Sequence, residues 1–227
     1  MGARTSSKRM PGRPARGGDT AGRERLLDVA VSLFAERGIA NTTLAQIARA
    51  GQVTSAMVHY WFDTRDKLLD AVVAERLAPV IRGMWEPVGA AHESALDIVR
   101  GLLTRMVDVT ERLPWLPPLW LREIVQEGGQ LRERVVGQIP RERTAAFRRS
   151  VAQAQARGEI RADISPDLLF ISILALVMLP RATSRIWRRV NPDVTEIDRA
   201  QLERHVTGLM MHGLAGPKAA RPSRRKA

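Results

Sequence analysis

Apolar residues recur in this chain at intervals of three and four residues almost from end to end, the spacing of a helix face. Leu26, Val29, Ala30, Leu33 and Phe34 form the first such stripe, and Gly38 stands where that helix must stop. Asp19 or Thr20 is placed to cap its start. Thr43 and Gln46 are spaced as a capping box opening a short helix through Ala50, and Gly51-Gln52-Val53 breaks it. Thr54 caps the next helix, in which Val58 and Phe62 share one face. Asp63 or Thr64 ends that helix and starts a longer one, carrying Leu68, Leu69, Val72, Val73, Leu77, Val80, Ile81 and Met84 on its apolar side. Pro79 removes a backbone donor inside it, which predicts a kink a few residues earlier.

The same period continues beyond Pro87. Helices are expected over residues 93–112, from Leu119 to Gln126, over 130–157 with a break at Pro140, from Pro166 to near Pro180 with resumption through Arg189, and over 195–213. Pro114, Pro117 and Pro118 predict a loop ahead of Leu119. No strand-like alternation bounded by turns and no internal repeat is visible, so the fold class is all-α.

Composition excludes more than it selects. There is no cysteine, which removes disulfide scaffolds, thiol nucleophiles and cysteine-ligated zinc. The four histidines, His59, His92, His205 and His212, include no i, i+4 metal-ligand pair, and no phosphate loop or nucleophile elbow occurs. No enzyme activity, metal or cofactor is therefore expected. The N-terminus lacks an apolar segment, so no secretory signal is read there. The apolar run Leu168–Leu179, broken only by Ser172, is too short to span a bilayer, which predicts a soluble intracellular protein with no membrane partner. Of the net charge of +12, residues 1–20 hold +4 and residues 216–227 hold +5, leaving +3 on the rest. Two basic, Gly/Pro/Ser/Arg-containing ends of this kind are read as disordered segments that attract polyanions.

Residues 43–62, TLAQIARAGQVTSAMVHYWF, have the form helix, tight turn, helix. A groove-entering second helix needs short or polar side chains on its outer face and apolar ones behind. Thr54, Ser55, Ala56, Met57, His59 and Tyr60 meet the first demand, Val58 and Phe62 the second. The stretch Leu26–Leu69 resembles the DNA-binding domain of the TetR (tetracycline-repressor-like) family of bacterial transcription regulators. Phe34 and Gly38, Thr42-Thr43, Ile47-Ala48, Val53-Thr54, Tyr60, Phe62, Arg65 and Leu68-Leu69 carry the likeness. It departs at Gly51-Gln52, where the family usually has Ala-Gly, so that Gln52 is expected to take a positive φ. It departs again at His59, where the family often has Tyr.

The resemblance implies four segments: a basic arm over 1–19, a helix-turn-helix domain over 20–80, a helical effector-binding and dimerisation domain over 81–215, and a basic tail over 216–227. It implies a cytoplasmic, sequence-specific regulator, a homodimeric repressor of a near-palindromic double-stranded operator, released by a small-molecule effector. A ligand-independent architectural DNA binder is the alternative. Thr43, Thr54, Tyr60, Trp61 and Arg65 are expected at phosphates, and Ser55, Ala56, Met57 and His59 at base edges. Trp85, Met106, Trp115, Trp120, Glu123 and Met178 are candidates for an effector pocket. Glu123 has a structural alternative, pairing with Arg122 or Arg185. The helices 166–189 and 195–213 are the candidate dimer interface.

Overall fold

The computed structural model describes residues 16–86, 88 and 94–216. The basic arm up to residue 15, the tail from residue 217 and His92 lie outside these residues. Among them the secondary structure is helical throughout, with one isolated antiparallel bridge between Ile160 and Ala215. The N-terminal elements are α1 (Arg16–Arg37), α2 (Leu44–Ala50), α3 (Ser55–Phe62) and α4 (Arg65–Val72). A π turn, Val73–Leu77, joins α4 to α5 (Ala78–Trp85). Then follow α6 (Ala95–Arg112), α7 (Leu116–Trp120), a second π turn (Leu121–Val125), α8 (Arg132–Val136) and α9 (Arg141–Ala156). The chain closes with α10 (Pro166–Val190) and α11 (Arg199–Leu214).

Local chemistry decides where several helices begin. The Thr43 hydroxyl accepts the Gln46 N–H while the Gln46 side chain accepts the Thr43 N–H, a complete capping box. Thr54 and Thr64 accept the N–H groups of Met57 and Lys67, so each short helix of the N-terminal domain has its own cap. The first helix differs from expectation. It begins by Arg16, so Asp19 and Thr20 stand inside it rather than capping it, and residues 16–19 belong to the helix rather than to the arm.

Three further expectations are corrected. Pro117 and Pro118 do not make a loop. They occupy the first turn of α7, where a missing N–H costs nothing. Helix α10 runs unbroken through Pro180 to Val190, twenty-five residues long. It is thus long and apolar enough to span a bilayer, although its sequence run is not. One side of it packs on the protein core through Leu169, Ile173, Val177 and Met178. Pro79 acts as predicted: the π turn precedes it directly, with the Ala78 N–H bonded to the Val73 carbonyl. Pro140 likewise separates α8 from α9.

One continuous apolar core runs from Leu26 and Phe34 through Leu68, Leu77 and Leu103 to Ile173 and Val206. Helix α1 buries more than the stripe Leu26–Phe34 requires, adding Leu27, Val31 and Ala35, because α7 packs on it as well as α2 and α4.

Candidate nucleic-acid interface

Helix α3 is held from behind and free in front. Val58 and Phe62 are buried, and the Arg23 guanidinium lies over the Phe62 ring with its carbon 5.0 Å from the centroid. Arg23 also forms a two-point ion pair with Glu75 in the first π turn, both contacts 2.6 Å. The hydrogen bonds from Arg23 hold the Glu75 carboxyl below its ordinary range and raise the Arg23 guanidinium, while partial burial opposes both shifts. Arg76 bonds Glu24 and Asp28 on α1 at 2.7 Å each. The rear of the recognition helix is therefore tied to α1 and to the π turn together.

The turn before α3 explains the Gly-Gln order. A Cβ on Gly51 would stand 2.4 Å from Leu26 Cδ1, so a side chain there would have to displace that methyl of α1. Gln52 is left with the left-handed conformation, φ +57°, as expected from the departure from Ala-Gly.

On the front face, Ser55, Ala56, His59 and Tyr60 are exposed, Tyr60 by 72%, and Met57 is half-buried. Because Thr43 and Thr54 use their oxygens as acceptors for helix N–H groups, their hydroxyl hydrogens remain available to a phosphate oxygen. His59 Nδ1 lies 2.9 Å from the Asp63 carbonyl. A carbonyl only accepts, so Nδ1 carries the hydrogen, and in the neutral ring Nε2 faces outward as an acceptor.

Two residues expected at phosphates also make contacts within the protein. The Trp61 ring is half-buried against α1, 2.9 Å from where a Gly22 Cβ would sit. The Arg65 guanidinium donates to the carbonyls of Ile39 and Thr42, spanning the loop between α1 and α2. Its job is to set that loop. Sequence reasoning missed Arg49, exposed at the end of α2, and Lys67, exposed one turn into α4 and paired with Asp63 at 2.7 Å. Arg49 closes α2 and Lys67 opens α4, the helices that flank α3 in the chain.

The candidate pocket residues sit in the core or packed against it. Trp85 is buried between Phe147 and Phe170, with ring centroids 6.2 and 4.4 Å away, and Met106 and Met178 are buried core residues. Trp115 and Trp120 are half-buried against that core, and Trp120 Nε1 is buried with no hydrogen-bond partner among the described residues. Glu123 pairs with neither Arg122 nor Arg185. Its carboxylate accepts the N–H groups of Ile39 and Gln130. A separate groove of about 340 Å³ opens between α5 and α6, lined by Pro79, Val80, Gly83 and Met84 on one side and Arg105, Asp108, Val109 and Arg112 on the other.

Comparison with known proteins bears on the same segment. Residues 26–72 match the family model described as bacterial regulatory proteins, tetR family. The HTH-type transcriptional repressor KstR2 of Rhodococcus jostii is 24% identical over 156 residues, 67% of this chain and 76% of that protein. The HTH-type transcriptional regulator SrpR of Pseudomonas putida is 35% identical over 83 residues, 33% of this chain and 39% of the relative. The likeness to SrpR thus spans well under two thirds of that protein's length. Among solved structures, the ketosteroid transcriptional regulator KstR2 of Mycobacterium tuberculosis superposes with a TM-score of 0.67 at 18% identity, covering 85% of this chain and 94% of that one. The transcriptional regulator FadR of Bacillus subtilis, solved with stearoyl-CoA, gives 0.60 at 17% identity over 84% and 98% of the two chains.

Proposed function

We propose that this chain, whose residues 26–72 match the tetR family of bacterial regulatory proteins, is a homodimeric repressor of that family released from its operator by a small-molecule effector. The observation that carries this reading is helix α3: capped, locked at its rear, and presenting Ser55, Ala56, His59 and Tyr60 outward from one edge of the molecule. Met57 reaches a thymine methyl and His59 a base amino group, to which its outward Nε2 is an acceptor. Thr43, Thr54 and Tyr60 serve phosphates, with Arg49 and Lys67 adding charge. One recognition helix per chain calls for two chains, and α10 offers the surface for them. Leu168, Ile171 and Leu179 form an exposed apolar stripe opposite its buried side. Two copies joined there would read half-sites about one helical turn of DNA apart, in the bacterial cytoplasm where the operator lies.

For the effector, the unpartnered Trp120 Nε1–H favours an apolar compound bearing a hydrogen-bond acceptor. The relatives named for ketosteroid regulation and solved with an acyl-CoA are consistent with a largely apolar ligand. An architectural role without a ligand is not favoured by this likeness to regulators. Selection of bound duplexes from random DNA, followed by a screen of apolar carbonyl compounds for release, tests the reading. A near-palindromic consensus and a releasing compound are expected. A protein that stays monomeric at micromolar concentration and protects one isolated half-site would refute the dimeric repressor.

A further inference from the structure

Glu123 is the one buried carboxylate among the described residues, 5% exposed, and it lies in the second π turn, far along the chain from the helix-turn-helix. One of its oxygens accepts the Ile39 N–H at 2.8 Å and the other the Gln130 N–H at 3.2 Å. No lysine or arginine among the described residues forms an ion pair with it. Its main chain is fixed as tightly. The Leu131 N–H bonds the Glu123 carbonyl at 3.1 Å, and a Cβ on Gly129 would stand 2.4 Å from that same oxygen. Ile39, at the other end of the link, belongs to the loop that leads into α2. Its carbonyl and that of Thr42 are held by Arg65, and the Thr42 hydroxyl donates to the Gly38 carbonyl at 2.8 Å. Thr43, next in line, caps α2, which in turn packs on α3.

A buried carboxylate without a cation is costly, and an apolar side chain of the same length would fill the space without that cost. What the carboxylate adds is geometry: two converging N–H groups, one from each domain, share it. We propose that Glu123 is a positioning residue for operator recognition, locking the α1–α2 loop to the C-terminal domain so that α2 and α3 stand at one fixed angle. The proposal rests on the DNA-binding reading above. Arg134 provides an internal comparison. It also ties the C-terminal domain to the N-terminal one, through Asp70 at 2.7 Å and Asp66 at 2.9 Å, but it reaches α4 and not the loop.

The test uses the full chain, the operator selected by the unaltered protein and a scrambled duplex of equal length. Glu123→Gln keeps the shape and offers one acceptor to two donors, whereas Glu123→Met removes both bonds without adding a side-chain amide of its own. Each is expected to weaken operator binding about tenfold, the scale of one buried group left unsatisfied, and to leave the scrambled duplex unaffected. Arg134→Ala should stay within about twofold on both duplexes, since it cuts exposed ion pairs. Without DNA, hydrogen exchange over residues 39–50 should quicken in both Glu123 variants and not in Arg134→Ala. Glu123→Met decides the matter if Glu123→Gln does not fold. Operator affinity equal to wild type in Glu123→Met, or equal loss on both duplexes, would overturn the proposal. A wild-type protein that selects no sequence instead sinks the regulator reading, a result that exchange over residues 39–50 keeps separate from the loop contact itself.

Discussion

At the scale of the residue, side chains that resemble ligands turn out to be ligands of the protein's own backbone. Arg65 spends its forked guanidinium on two carbonyls, a geometry that a lysine cannot reproduce. His59 spends Nδ1 on the end of its own helix, which leaves Nε2 of the neutral ring an acceptor. Gln52 shows the converse, a residue placed at a cost to satisfy its neighbour. Its left-handed φ costs roughly 1–2 kcal/mol relative to glycine, while glycine loses about 0.4–1 kcal/mol more on folding through chain entropy. Gln52→Gly should therefore stabilise the protein by about 0.5–1 kcal/mol in urea unfolding, with operator preference unchanged. Destabilisation would mean that the Gln52 side chain makes a contribution its exposure does not suggest.

At the scale of the element, the rod from α4 to α5 joins the helix-turn-helix domain to the larger core, and its π turn is the irregular point in it. Pro79 has no N–H for the Glu75 carbonyl, and Arg76 Nη1 serves that carbonyl instead at 3.3 Å. Pro79→Ala restores the competing donor and favours an α turn, which would rotate everything beyond it by about 100° relative to α4. The groove between α5 and α6 flanks the same turn, with Pro79 and Val80 in its wall. We expect Pro79→Ala to change how far the releasing compound lowers operator affinity, with affinity for the compound in DNA-free protein changing less. Identical release curves for variant and wild type, in range and extent, would show that the signal does not pass through this turn.

For the whole molecule, the open question of symmetry falls on α10. Ile171 and Leu179, 59% and 50% exposed, lie two turns apart on the face opposite the core, and the stripe continues to Ile186 and Val190. Open space around Gly208 on α11 leaves room beside it for a second helix to come close. Replacing Ile171 and Leu179 together by glutamate should yield a monomer by sedimentation at micromolar concentration, with helicity kept and operator binding lost. A variant that remains dimeric would move the interface elsewhere. The globule between the basic ends carries little net charge, so the salt dependence of DNA binding should arise largely from residues outside the described core.

Helix existence, most caps and the helix-turn-helix were legible in the residues, because each depends on neighbours a few positions away. Thr43, Thr54 and Thr64 cap within three residues, Val58 and Phe62 share a face by period, and the strained φ of Gln52 followed from the family resemblance. The candidate site was legible in outline for the same reason: α3 is a local object, and so is the list of side chains on its outer face. What sequence could not reach was every link made by residues distant in the chain. That Arg65 belongs to Ile39 and Thr42, that Trp61 leans on Gly22, and that Glu123 crosses to Ile39 depend on how helices are stacked, which no local period encodes. Which residues could line an effector pocket was hidden on the same ground, since an apolar side chain at helical spacing faces a core or a ligand alike until its neighbours are in place. Chain-local chemistry decides where helices start and which face is apolar; packing decides which polar groups are left over on the outer face of α3.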